Sequence, residues 1–135
     1  NFPIITEKKS DAPLWRFFCN SEQGPGMDLF TKKHIALCIN EQHQHSSELQ
    51  DPKSPLFHQI LCAWHTEVIL WVKEQDPELL STLGDHSVDK SEMIQNGLFE
   101  SGSIADYLYE FIKNHGIIIN ETANVGNSIR NYMHL

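Results

Sequence analysis

The chain has 135 residues, 40% of them hydrophobic and 21% charged, with ten basic against eighteen acidic side chains. That length suits one domain and buries a core without needing disulfides or metal. The net charge of −8 disfavours a nucleic-acid reader, and no apolar run reaches the roughly 20 residues of a membrane span.

Residues 1–11 read as an extended arm, with Phe2, Ile4 and Ile5 available for packing and Pro3 set against helix. A short helix is expected from Ala12 to about Asn20, capped by Asp11 and rich in Trp15, Phe17 and Phe18. Gln23-Gly24-Pro25-Gly26 breaks the chain. From Met27 to about Glu41, the spacing of Met27, Phe30, His34 and Leu37 favours a helix over the alternative, a short buried strand at His34–Ile39. Residues 42–53 are polar and read as a loop.

Ser54-Pro55 is a strong helix start, a capping hydroxyl followed by proline in the first turn. From there Phe57, Ile60, Leu61, Trp64, Val68 and Trp71 cluster within about 80° of arc, a continuous core stripe. Asp76-Pro77 repeats the start signal for a short helix that ends at Gly84. Another short helix is expected over Ser91–Asn96, closed by Gly97. Ser103, with Asp106 three residues on, opens a further helix that stops at Gly116. Ile117–Ile119 is β-branched and reads as extended, and a last helix is expected from about Thr122.

The expected fold is therefore all-α, mainly helical. It is a compact bundle of about five to six helices around a central long helix near 55–73, with room for one or two short extended segments. The expected organisation is an extended N-terminal arm over 1–11 and a single helical domain over 12–135.

Three cysteines, Cys19, Cys38 and Cys62, are an odd number at wide spacing. That is no disulfide framework, and it points to a reducing, cytoplasmic compartment in the source or in a host cell. His58, Cys62 and His65 share one flank of the long helix, at about 100°, 140° and 80° from Phe57. Imidazole and thiolate are zinc ligands, and His34 with Cys38 on the preceding helix would complete a tetrahedral set. The alternative reading is a packing seam, since the flank continues into Ile69 and Val72. On that reading no cofactor is required.

Arg130 and His134 lie four apart near the end of the last expected helix. A cation beside an acid/base histidine can cleave a phosphodiester. The run Arg130-Asn131-Tyr132-Met133-His134 loosely resembles the HEPN ribonucleases, although the gap is shorter than that family's usual one. The resemblance implies a helical ribonuclease using Arg130 and His134.

Nucleophilic catalysis has no anchor, and no glycine-rich phosphate loop is present. The favoured function is therefore non-enzymatic: a protein–protein interaction module acting as an inhibitor, immunity protein, adaptor or effector-type regulator. The expected partner is another protein, a basic surface suiting the charge, and a homo-oligomer is compatible with the sequence. Trp15, Phe17 and Phe18 are the expected anchors, because aromatic side chains dominate interface hot spots.

Overall fold

The computed structural model describes residues 2–119. It is a mixed α/β fold rather than the expected all-helical bundle. Three strands come first: β1 (Ile4–Glu7), β2 (Trp15–Cys19) and β3 (Ile35–Asn40). A 3-10 turn (Ser46–Gln50) leads to the helices α1 (Pro55–Gln75), α2 (Pro77–Leu83), α3 (Lys90–Gln95) and α4 (Ile104–His115). The sheet order is β1-β3-β2, with β1 parallel and β2 antiparallel to the central β3.

The helices expected over 12–20 and 27–41 hold strands instead. Every residue of β3 is buried. Such a strand carries a continuous apolar run with no period, which imitates a helix segment. The run Trp-Arg-Phe-Phe-Cys, expected as helix, is aromatic-rich and settles as β2. Of the expected arm, Ile4–Glu7 is a strand of the sheet, with Ile4 opposite Leu37 and Glu7 opposite Asn40.

Helices α1 and α2 start at their capping side chains. The Ser54 hydroxyl accepts from the Phe57 amide, and the Asp76 carboxylate accepts from Leu79. Gly116 closes α4 in the left-handed conformation at φ 61°. The start of α4 is satisfied from elsewhere in the chain. The Ile104 and Ala105 amides donate to the carbonyls of Asp28 and Pro25, and the Asp106 amide donates to the Ser103 hydroxyl. These are donors a helix leaves without partners of its own.

The core sits between α1 and one face of the sheet, and continues to α2 and α4. Trp64 is its centre, 0% exposed. Its indole N–H donates to the Ala36 carbonyl at 2.9 Å, tying α1 to β3. Ile35, Leu37 and Ile39 face α1, joined by Ile4 from β1 and by Trp15 and Phe17 from β2.

Candidate functional site

Among the described residues, chemistry-bearing side chains meet in an aromatic cleft between α1 and α4 and on the sheet face turned away from α1.

The cleft has a volume of about 300 Å3 and is walled by Phe2, Ile4, Phe57, Leu61, Tyr107 and Phe111, with His115 at one end. His65 lies in its floor. Its ring stacks on Phe111 at 4.0 Å between centroids, and Phe30 stacks on Tyr107 at 3.8 Å. The Leu61 carbonyl lies 2.7 Å from His65 Nδ1 and can only accept, so Nδ1 carries the proton. Nε2 is then the acceptor for the Tyr107 hydroxyl, also at 2.7 Å. Burial lowers the imidazole to about 4 and holds the Tyr107 phenol above its ordinary value. At neutral pH the pair is an uncharged imidazole and an intact phenol, each committed to the other. It has no free base to offer and no acidic proton to give. Its work is to lock α1 to α4.

The outer sheet face carries Ile5, Phe18, Ala36 and Cys38, framed by Glu7 and Arg16. Arg16 grips Glu7 with two parallel hydrogen bonds of 3.0 and 3.1 Å, and its guanidinium stands 5.8 Å from the centroid of the Phe18 ring. Those hydrogen bonds lower the Glu7 carboxyl to about 2. Ile5 and Phe18 are half-buried and stand outside the core cluster. Burial pushes the Cys38 and Cys19 thiols up, so neither is an activated nucleophile.

The expected anchors therefore divide between two faces. Trp15 and Phe17 point at α1, where the Phe17 ring meets Trp64 and Trp71 at 6.1 and 6.3 Å. Phe18 alone belongs to the open face. The zinc set divides as well. His58, Cys62 and His65 do share α1, but both ring nitrogens of His65 are engaged within the core, and His58 Nε2 lies 3.2 Å from the Pro52 carbonyl. His34 and Cys38 are not on a helix. Cys38 lies on the outer face, so the sheet stands between it and α1. His34 Nδ1 meets the Asn20 carbonyl at 3.1 Å and approaches Glu22 and Asp28. Among the described residues no group of three or more His, Cys, Asp or Glu is placed to hold a metal. Arg130 and His134 lie outside the described residues, and so does the last expected helix.

Three residues that matter here carried no sequence signal. Asp28 is buried and organises the loop after β2, accepting from the Ser21 hydroxyl and from the Glu22 and Gln23 amides. Burial alone would raise its carboxyl, but these hydrogen bonds outweigh it and hold the group below its ordinary value. Glu7 and Tyr107 each depend on a partner distant in sequence, which spacing cannot reveal.

Comparison with protein-family models, curated proteins and solved structures found no match to the chain. Among the described residues no helix is long and apolar enough to cross a membrane.

Proposed function

We propose that the chain is a non-enzymatic protein-binding module, in the manner of an inhibitor, immunity protein, adaptor or regulator, and that it meets its partner through the open face of its sheet. One observation carries this reading. Phe18 and Ile5 stand half-buried on the sheet face that no described helix covers, and a cation and a carboxylate frame them. An apolar centre with a charged rim is the ordinary anatomy of a protein interface. The net charge of −8 suits a partner with a basic surface. The two best-placed titratable groups of the cleft are locked to each other, which leaves recognition as the better-supported role.

The test is affinity capture from the source cells with wild type and Phe18→Asp side by side. Circular dichroism and thermal unfolding establish that both are folded. The expected result is a stoichiometric protein retained by wild type and lost with Phe18→Asp. The same protein retained equally by both variants, or no retained protein, overturns the reading.

A further inference from the structure

We propose that the free edge of β2 receives an extended segment of the partner protein as a fourth strand, with basic side chains towards α1 and apolar ones towards the outer face. This rests on the protein-binding reading above and names how the partner is gripped.

The hydrogen-bond pattern defines the edge. The Asn20 amide donates to His34, and the Asn40 amide donates to Leu14. These bonds fix the even-numbered residues of β2 as those that exchange hydrogen bonds with β3, since hydrogen-bonded and non-bonded pairs alternate along an antiparallel ladder. The N–H and C=O groups of Trp15, Phe17 and Cys19 therefore point away from β3, and among the described residues no strand pairs with them. Such a row is a template for strand addition.

Charge selects the occupant. The Trp71 ring of α1 lies against Phe17. Glu67 and Glu74 are exposed and sit about 40° and 60° around the helix from Trp71, in the same sense. Phe57 and Leu61, which meet Ile4 of β1, lie in the opposite sense. The two glutamates thus belong to the flank of α1 beyond β2. No basic residue of α1 shares that flank. An added strand would turn alternate side chains to that side, where lysine or arginine finds carboxylates and the faces of Trp15 and Phe17. Its other side chains would extend the Phe18 surface, which suits apolar residues. A second copy of this acidic chain brings no such charge.

The probes are two capped peptides, acetyl-Lys-Val-Lys-Val-Lys-amide and its Glu-Val counterpart. They are titrated into the protein while amide resonances and amide hydrogen exchange are followed. The expected result is saturable binding of the basic peptide alone, with protection at the Trp15, Phe17 and Cys19 amides. Cys19→Pro removes an edge donor without taking a bond from β3, and should weaken binding by roughly tenfold. Glu67→Lys with Glu74→Lys, both on exposed helix surface, should weaken it by a similar factor. Equal binding of the acidic peptide, affinity unchanged in Cys19→Pro, or no response at the three amides overturns the proposal. Protection of those amides that rises with protein concentration alone assigns the edge to a second copy and also overturns it. If capture is still lost with Phe18→Asp while the peptide arm fails, only strand addition falls and the protein-binding reading stands.

Discussion

Tyr107 donates its phenolic proton to His65 Nε2 at 2.7 Å, and the bond joins the middle of α1 to the first turn of α4 inside a stack of aromatic rings. The tautomer is fixed from the other side by the Leu61 carbonyl. Tyr107→Phe leaves Nε2 buried without a donor, which costs about 1–3 kcal/mol. His65→Ala loses the stacking on Phe111 as well and opens a void, and should cost more than Tyr107→Phe. Urea unfolding of the two single variants and the double variant checks this, and a coupling energy near zero would refute the pairing.

The same histidine makes stability depend on pH. Its folded value is lowered to about 4, while the unfolded side chain titrates near 6.5. The neutral form is the one the fold accepts, so the contribution is complete above about pH 6.5 and is lost as pH falls through 4. The full difference is about 3 kcal/mol. His65→Gln should flatten the stability profile between pH 6.5 and 4 relative to wild type. Parallel profiles would show that other groups govern acid sensitivity.

Phe17 and Phe18 are neighbours in sequence with opposite duties. Phe17→Ala withdraws a ring from Trp64 and Trp71 and should destabilise by about 2–3 kcal/mol. Phe18→Ala withdraws a ring from the open face and should cost less than about 1 kcal/mol. Thermal unfolding decides the matter; a larger loss for Phe18 would place that residue in the core.

Asp28→Asn weakens a buried, charge-assisted acceptor that holds three donors of the loop after β2. A loss of about 2 kcal/mol is expected, with faster hydrogen exchange at the Glu22 and Gln23 amides. Unchanged exchange there would show that the loop does not depend on the carboxylate.

The helices were legible because their signals are local. Ser54-Pro55, Asp76-Pro77, Ser103 with Asp106, and Gly116 each act on backbone groups within one turn. The strands were not, because pairing is non-local. Nothing within Trp15–Cys19 says that Ala36 and Cys38 lie opposite Phe18 and Arg16. Five apolar or small residues in a row, Ile35–Ile39, satisfy helix and buried strand alike. The error carried over to the candidate site. On a helix, Trp15, Phe17 and Phe18 share a crowded surface; on a strand, one of the three turns to the other side. His34 and Cys38 likewise lost the helical spacing that would have aimed them at His58, Cys62 and His65.

The loop carbonyls of Pro25 and Asp28, which receive the first amides of α4, also order events in time. A ribosome releases that loop well before Ile104. The receiving surface is already outside the exit tunnel when α4 emerges, so the last described helix can start on a template laid down early in synthesis. A circular permutant opened between Pro25 and Asp28 would carry the two receiving carbonyls at opposite ends of its chain, and one of them would emerge only after α4.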